Sequence, residues 1–499
     1  MAPGRGVRLQ SALLDALIRA TEWVPARGLA TRLSRNQPPA PRGEVVAAVS
    51  RAVAAHYQHH RIEAELAARQ ACTYQRIWFR HRVREFRSRA EQAPDDPRRP
   101  RWEELANYFR AASQRLQNCG DADTVITHLA TYYAQDMAAD LNPAFFLAFK
   151  QVARRLFPCF VDSIRVSEAE PGVFDRLREL DGTAPLVYVP NHVSNADHIP
   201  ICFALNSLGL RQPKIAAGAN LFRGTSTRIL PRVNVYKIRR EHIGDGSSWL
   251  NNIRWFQNPI YRRTHAEYLR YGWEHNEDLL FYIEGTRSRD GTIGRAKLGI
   301  LAEAFDYATE TAGTLYAVPV SIAYTVVPED RDIEASRSGK NISHKDLVAQ
   351  LTDLDRSYRT YAEVPIHVRL GQPTPLDADA GGVDKIGGNL LERVKAGVVL
   401  TDTSVAAACL LAVASREEAP PTCHLDDLLA HWRERYGGAA EFAEGSLRSR
   451  VDSALRTLAL RGFLAPTDDR QTLLLLDEPL LRQYANRIIH HPGRSRRAG

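Results

Sequence analysis

The sequence has few residues that could build a disulfide framework or a metal-binding module. Only six of its 499 residues are cysteines, and no two of them form a CxxC pair. Zinc knuckles and small disulfide-rich folds depend on closely spaced cysteines, so neither is indicated. We expect the six side chains to be reduced thiols.

Long apolar segments are also missing. No run reaches the roughly 18 uncharged residues that a membrane-spanning helix needs, because the most apolar stretch, residues 398–414, contains Asp402. Near the N-terminus, Asp15, Arg19 and Glu22 interrupt any signal-peptide core. We therefore expect neither secretion nor a bilayer-spanning helix, while attachment to a membrane surface stays open.

Three common catalytic motifs do not occur in the sequence. It contains no GxSxG nucleophile elbow, no GxxxxGK[ST] phosphate loop and no GxGxxG turn that opens a helix. Covalent serine hydrolysis, nucleotide hydrolysis and dinucleotide redox chemistry therefore lack their usual sequence support.

Positive charge is present in modest excess. The 66 lysines and arginines outnumber the 58 acidic residues, which gives a net charge of +8 and a pI near 9.2. Such a balance favours an anionic partner. A phosphate-bearing substrate, an anionic membrane surface and a nucleic acid all fit, and composition does not separate them.

The pattern of apolar residues divides the chain into three parts. Helical periodicity dominates residues 1–160. In residues 161–400, the strand-like runs PLVYVP, RVNVYKI, LLFYI and LYAVPVSIAY alternate with helix-like segments. This alternation predicts an α/β domain with a central, largely parallel sheet and flanking helices. Residues 401–499 are expected to form a mainly helical C-terminal region with one short strand near 473–476.

The first candidate site follows the strand-like run PLVYVP. His192 and Asp197 are five residues apart, about 140° around a continuous helix, so a single helix would separate them. A strand ending at His192, followed by a turn and a helix with Pro200 in its first turn, could fold the carboxylate back onto the imidazole. The pair would then have the parts of a general base. Two alternatives stay open: a surface histidine beside a helix-capping aspartate, and a metal site that adds His198.

Two further segments place polar and basic residues at predicted strand ends. The first is EGTRSRDG, directly after LLFYI, where Arg287 offers a planar fork for a phosphate and Gly285 lets the backbone approach a ligand. The second comprises KIAAGANL and the downstream RVNVYKIRR, which ends in Arg239 and Arg240. Ligands of open α/β sheets bind beyond the carboxyl ends of the strands, so three such segments together are more telling than one. Taken singly, each could be a solvated polar turn.

These three segments and the apolar Val-Pro strand that follows them resemble the four acyltransferase blocks of the glycerolipid acyltransferase family. The chain is most like the bacterial membrane-associated glycerol-3-phosphate acyltransferases and the related dihydroxyacetone-phosphate acyltransferases. The resemblance covers residues 162–325, and YANRIIH at 484–490 is similar to the family's terminal signature. It makes His192 and Asp197 the catalytic pair. It implies substrate-binding roles for Gly218, Asn220, Arg239, Arg240, Glu284, Gly285, Arg287, Ser288 and Pro319.

The resemblance implies transfer of a fatty acyl group from acyl-CoA or an acyl-carrier protein to the sn-1 hydroxyl of glycerol 3-phosphate, the first step of phospholipid synthesis. His192 would act as general base and Asp197 would orient it, with no metal or cofactor. Asn191 and Thr286 are instead typical of the acylglycerol-phosphate branch, so lysophosphatidate and dihydroxyacetone phosphate stay alternative acceptors. A non-catalytic, basic, peripheral lipid-binding protein is the alternative from a different class.

Because acyl chains reside in bilayers, we expect a peripheral protein on the cytoplasmic face of the cell membrane, with no nucleic-acid partner. The segment YQRIWFRHRVREFRSR, residues 74–89, mixes apolar side chains with six arginines and suits an anionic membrane surface. The alternative is a helix that packs in the core and presents a solvated arginine face.

Overall fold

A computed structural model describes most of the chain. It covers residues 16, 19–21, 40–243, 258–311, 314–339, 347–360, 364–377, 381–417, 420–437, 439 and 445–491. Within these ranges, no helix is both long enough and apolar enough to cross a membrane.

Helices precede the first strand, as predicted for the N-terminal region. They are α1 (Arg42–His59), α2 (Arg61–Gln92), α3 (Arg99–Gln117), α4 (Ala122–Met137), α5 (Pro143–Leu156) and α6 (Pro158–Asp162). Segment 74–89 lies within α2, where Phe79 and Phe86 are buried and both rings contact Phe109 of α3. Most of its apolar side chains therefore pack in the core, although Ile77 is 46% exposed.

The central domain contains an eight-stranded mixed sheet. Its strands are β1 (Ile164–Glu168), β2 (Leu186–Pro190), β3 (Lys214–Gly218), β4 (Val235–Ile238), β5 (Leu279–Leu280), β6 (Leu315–Tyr324), β7 (Ile366–Leu370) and β8 (Thr374–Leu376). They lie in the order β1-β7-β6-β2-β5-β3-β4, with β8 beside β6. Strands β2 to β6 are parallel to one another, whereas β7 and β8 run antiparallel to β6. The predicted α/β fold with a largely parallel sheet is confirmed.

Helices cover both faces of this sheet. They are α7 (Val173–Leu180), α8 (His198–Ser207), α9 (Ser226–Arg232), α10 (Arg240–Ile243), α11 (Pro259–Glu274), α12 (Gly299–Thr311), α13 (Asp330–Arg337), α14 (Leu347–Thr360) and α15 (Val383–Ala396). Side chains alternate along a strand, so Val187 and Val189 of β2 join the core formed with α1–α4 and α11. Leu186 and Tyr188 join the opposite core with α5–α8. Both faces of β2 are therefore buried, which places it centrally.

The C-terminal region has a separate hydrophobic core. It comprises α16 (Asp402–Val413), β9 (Thr422–His424), α17 (Leu425–Tyr436), α18 (Leu447–Leu460), β10 (Leu464–Pro466), β11 (Thr472–Leu475) and α19 (Glu478–Asn486). Its antiparallel sheet has the order β10-β11-β9, and the elements from α16 to β11 follow the topology of a winged helix. Strand β11 lies where the sequence predicts one. Asp330 of α13 anchors this region, because it pairs with Arg461 and accepts a hydrogen bond from the Tyr484 hydroxyl at 2.8 Å.

Candidate active site

The chain leaves the central sheet at Asn191, directly before His192. The Asn191 side chain bonds to both backbone groups of Ile322 on β6: Nδ2 donates to the carbonyl at 3.1 Å and Oδ1 accepts from the N–H at 2.8 Å. These bonds hold the end of β2 against β6. A turn then leads into α8, where Pro200 occupies the first turn as predicted.

Asp197 folds back onto His192. The imidazole Nδ1–H donates to Asp197 Oδ2 at 2.8 Å, and the carboxylate also accepts the N–H groups of Val193 at 2.7 Å and Ser194 at 2.9 Å. The Tyr324 hydroxyl donates to Oδ1 at 2.9 Å. Asp197 is fully buried and its side chain makes no capping bond to α8. The turn therefore brings the predicted pair together, and the helix-capping interpretation of Asp197 is wrong.

The His192 ring is fixed on a second side by an aromatic contact. The Tyr282 ring stacks on it with centroids 3.9 Å apart and planes 15° from parallel. Because Asp197 accepts the proton of Nδ1, the neutral ring carries its free lone pair on Nε2. Among the described residues, Nε2 has no hydrogen-bond partner. This arrangement is suited to removing a proton from an alcohol.

Glu284 ties the EGTRSRDG segment to His192. Its Oε1 accepts the His192 N–H at 2.9 Å and its Oε2 accepts the Gly294 N–H at 2.7 Å, and burial raises the pKa of this carboxyl. From the same segment, the Ser288 N–H donates to the His192 carbonyl at 3.0 Å. Gly285 has a φ of +68°, and its N–H donates to the Tyr282 carbonyl at 2.9 Å. The Gly285 N–H therefore already has a hydrogen-bond partner within the turn.

Arg287 keeps most of its hydrogen-bonding capacity free. Its side chain is 18% exposed, and its nearest charged partner is Glu329, with Nη1 3.7 Å from Oε1. Within the described part of the chain, the guanidinium donates no hydrogen bond. Glu329 in turn accepts the Ser194 hydroxyl at 2.9 Å and the Asn195 N–H at 2.7 Å, and burial raises its pKa. Glu329 thus holds Arg287 beside the turn that carries the histidine and aspartate.

The arginines of the KIAAGANL and RVNVYKIRR segments lie elsewhere. Arg239 forms an ion pair with Asp136 of α4 (Nε to Oδ2, 2.5 Å) and its guanidinium lies 5.1 Å from the Trp78 ring centroid. Arg240 begins α10 and is exposed. Strand β4 is three positions from β2, about 14 Å at ordinary strand spacing. The structure therefore does not bring these two arginines to His192.

The remaining residues predicted to bind substrate are Gly218, Asn220 and Pro319. Gly218 ends β3, and a Cβ there would lie 2.5 Å from Oδ1 of the Asn220 side chain. Asn220 itself is exposed. Pro319 is buried within β6, opposite Val189 of β2, and lies inside the sheet rather than at its carboxyl edge.

Two cavities adjoin the histidine and its turn. The catalytic cavity, of about 370 Å³ counting its open mouth, is lined by residues that include His192, Ser288, Tyr324 and Arg487. The apolar cavity, of about 500 Å³ on the same basis, lies along α5 and α8. It is lined by Phe146, Phe149, Lys150, His198, Ile199, Cys202, Phe203, Asn206, Gln212, Ile215, Leu230 and Val233.

His198 lines the apolar cavity. Burial lowers its pKa to about 4, so its ring is neutral. In the ranges that the structure describes, no three His, Cys, Asp or Glu side chains converge as metal ligands. Cys202, on the next turn of α8, is likewise neutral because burial raises its pKa to about 12.

Sequence reasoning missed several residues of this site, namely Tyr282, Tyr324, Glu329 and Arg487. The first two lie in the predicted strand runs LLFYI and LYAVPVSIAY, where an aromatic residue is expected in any case. Glu329 follows β6 in an ordinary polar stretch, and Arg487 is one of thirteen arginines in residues 401–499. The only available signal was that Tyr282 and Tyr324 lie at strand ends and that Arg487 lies in the terminal signature.

Comparison with known proteins places part of the chain in a family. Residues 173–323 match the family model described as Acyltransferase. The chain is 23% identical over 389 residues to the glycerol-3-phosphate acyltransferase of Alteromonas mediterranea, covering 72% of this chain and 45% of that protein. It is 26% identical over 211 residues to the mitochondrial glycerol-3-phosphate acyltransferase 1 of Sus scrofa, covering 42% of this chain and 24% of that protein.

A solved structure, the 1-acyl-sn-glycerophosphate (LPA) acyltransferase PlsC from Thermotoga maritima, aligns at 13% identity with a TM-score of 0.27, covering 64% of this chain and 94% of that chain. This chain spans less than half the length of the curated relatives given above. The four motifs of the sequence all lie within the matched region. The match to the Acyltransferase family model therefore falls on the part of the chain that those motifs indicated.

Proposed function

We propose that the protein transfers a fatty acyl group from a thioester, acyl-CoA or acyl-carrier protein, to the sn-1 hydroxyl of glycerol 3-phosphate. The observation that carries this proposal is the His192–Asp197 pair: Nε2 of the imidazole has no described hydrogen-bond partner, His192 lines the catalytic cavity, and the neighbouring Arg287 has free donors. The names of the curated relatives support glycerol 3-phosphate as the acceptor.

In the proposed reaction, His192 Nε2 takes the proton of the acceptor hydroxyl as its oxygen attacks the thioester carbonyl. The Asp197 carboxylate stabilises the imidazolium that results. Collapse of the tetrahedral intermediate breaks the carbon–sulfur bond, and the imidazolium returns its proton to the departing thiolate. One ester and one free thiol are formed, and no metal or cofactor enters the balance. Direct attack is the simpler route, because no described serine or cysteine side chain is hydrogen-bonded to the His192 ring.

Arg287 is proposed to bind the acceptor phosphate. Its planar fork can donate two parallel hydrogen bonds to phosphate oxygens. Replacing it with alanine should raise the acceptor KM about tenfold to a hundredfold, since hydrogen bonds to charged groups contribute about 1.5–3 kcal/mol. The measurement is initial-rate thiol release from palmitoyl-CoA against glycerol 3-phosphate concentration. Arg289→Ala, an exposed arginine in the same loop, is the matched control. An unchanged acceptor KM in Arg287→Ala would remove it from the phosphate site.

The apolar cavity is proposed to hold the acyl chain of the donor. Aromatic and aliphatic side chains dominate its lining. It also lies close to the histidine, because its wall includes His198 and Ile199, which directly follow Asp197, the hydrogen-bond partner of His192. The burial of a fatty chain in such a space is favourable by about 0.8 kcal/mol per methylene.

Filling this cavity should shift donor preference towards shorter chains. Cys202→Phe adds a ring to its wall, and the loss of contact for two methylenes predicts about a tenfold fall in kcat/KM for a 16-carbon donor relative to an 8-carbon donor. The measurement is kcat/KM for both donors. Cys119→Phe, in the loop between α3 and α4, controls for added bulk. An equal fall for both donors would argue against the chain-binding role.

We propose that the protein acts at a membrane surface. The protein would act as a peripheral protein on the cytoplasmic face of the cell membrane, where its substrates meet. The arginines of α2 and the exposed Ile77 support this placement. We propose no nucleic-acid partner. The C-terminal region, residues 401–499, has thirteen arginines and thirteen acidic residues, so it has no excess of positive charge that would attract a nucleic acid. Flotation with anionic vesicles tests the membrane proposal, and failure to float would count against it.

A further inference from the structure

Arg487 is an arginine of the C-terminal region that reaches the catalytic cavity. It follows α19, is only 9% exposed, and shares the cavity lining with His192, Ser288 and Tyr324. It lies outside residues 173–323, the part of the chain that matches the acyltransferase family. A side chain from a different domain therefore forms part of the wall around the proposed base.

The charge of Arg487 has no counterion among the described residues. Its Nε and Nη1 atoms are buried without a hydrogen-bond partner, and no described carboxylate lies within 4.0 Å of its guanidinium. Arg461 of the same region is also buried, but it pairs with Asp330. A buried cation is costly unless an anion compensates it. Arg487 thus lacks the partner that an arginine with a purely structural role would have.

The position of Arg487 is fixed before any ligand binds. Its guanidinium carbon lies 4.2 Å from the centroid of the Tyr484 ring. The Tyr484 hydroxyl donates to Asp330 Oδ2 at 2.8 Å and accepts the Val327 N–H at 3.0 Å, so the ring cannot swing away. A cation held in place over an aromatic face loses little freedom when it binds an anion.

The same helix also holds the loop that carries Arg287. Asn486 Nδ2 donates to the Asp290 carbonyl at 2.9 Å. Gly291 approaches the Gln483 carbonyl so closely that a Cβ at Gly291 would lie 2.0 Å from its oxygen. The C-terminal helix therefore brings Arg487 to the cavity and sets the position of the adjacent loop through the same contacts.

We propose that Arg487 binds the phosphate group of the acceptor in the catalytic cavity, beside the loop that carries Arg287. Ser288 and Thr292 line the cavity together with Arg487 and His192. A phosphate monoester on a three-carbon alcohol would supply the missing anion. The identity of the ligand in this inference rests on the proposed function. The anion site itself rests only on the burial of Arg487 and its lack of a described counterion.

The test compares Arg487→Met with Arg487→Lys. The first removes the charge, and the second keeps the charge but lacks the planar guanidinium that can donate two parallel hydrogen bonds. Arg482→Met is the control, because Arg482 lies on the same helix, is 56% exposed and pairs with Glu478. Two quantities are measured: the rise in Tm that inorganic phosphate or glycerol 3-phosphate produces in the absence of donor, and the KM for acceptor and for donor.

We expect both anions to raise the Tm of the wild-type protein and of Arg482→Met. In Arg487→Met this rise should vanish, and the acceptor KM should increase about tenfold or more with the donor KM unchanged. Arg487→Lys should be intermediate in both. Ligand-free Arg487→Met should melt close to or above the wild type, because the charge it removes is uncompensated. If Arg487→Met does not fold, Arg487→Lys carries the comparison.

Two results would overturn the inference: an unchanged rise in Tm and acceptor KM in both Arg487 variants, or a change in donor KM alone. If the wild-type protein transfers no acyl group to glycerol 3-phosphate, yet Arg487→Met loses stabilisation by phosphate, the proposed function fails while the anion site stands. If transfer is normal and Arg487 has no effect on either measurement, the anion site fails while the function stands.

Discussion

Replacing His192 with alanine is expected to lower the rate of acyl transfer by about a thousandfold, within the range of roughly 10² to 10⁴ that a positioned general base contributes. The neighbouring histidine, His198, lines the apolar cavity, so we do not expect it to replace the missing imidazole. The measurement is kcat/KM for thiol release from acyl-CoA in the presence of glycerol 3-phosphate.

The fold should survive this substitution. His192 contributes one side-chain hydrogen bond and the stacking contact with Tyr282, while the bonds to its backbone do not depend on the imidazole. An unchanged far-ultraviolet circular dichroism spectrum would establish that the loss is chemical. His275→Ala, an exposed histidine at the end of α11, should have wild-type activity. Full activity in His192→Ala would exclude it as the base.

Replacing Asp197 with asparagine should lower kcat/KM by about 10² to 10⁴, although the side chain keeps its shape. Asp197 accepts from the imidazole, two backbone N–H groups and the Tyr324 hydroxyl. An amide has one acceptor oxygen and cannot satisfy all of them, so the imidazole loses the partner that fixes its tautomer. Kinetics over a series of pH values would measure this loss.

The same substitution should also destabilise the fold. Buried donors left without an acceptor cost about 1–3 kcal/mol each, and the Val193 and Ser194 N–H groups both depend on this carboxylate. Urea unfolding should therefore give a lower free energy of unfolding for Asp197→Asn. Asp175→Asn, an exposed residue of α7 paired with Arg178, should change neither activity nor stability. Equal activity of Asp197→Asn and the wild type would contradict the orienting role.

Much of the fold and the central pair could be predicted because their signals are local. The run LYAVPVSIAY corresponds to β6 residue for residue, and the turn between PLVYVP and Pro200 leaves few ways to place Asp197. Both patterns depend on residues that are adjacent in the chain, where hydrophobic periodicity and proline restrictions act directly. Their structural consequences follow without knowledge of the rest of the molecule.

The remaining site residues depend on tertiary packing. Glu329 is 134 residues from Asn195, whose N–H it accepts, and the terminal signature reaches the cavity only because the C-terminal region docks on Asp330. Arg239 was predicted to belong to the site because it follows a predicted strand, but it does not. Its strand, β4, lies three positions from β2, the strand that leads to His192. Periodicity indicates that a strand exists but not which neighbours it has. Strand order therefore had to be observed.

The central claim, acyl transfer to glycerol 3-phosphate, is tested most directly by competition among acceptors. Purified wild-type protein would receive labelled acyl-CoA with equal concentrations of glycerol 3-phosphate, dihydroxyacetone phosphate and lysophosphatidate, and mass spectrometry would identify the esters formed. We predict that the sn-1 ester of glycerol 3-phosphate predominates and that His192→Ala forms none above background. Predominant acylation of either other acceptor, or free thiol release without any ester, would contradict the proposed function.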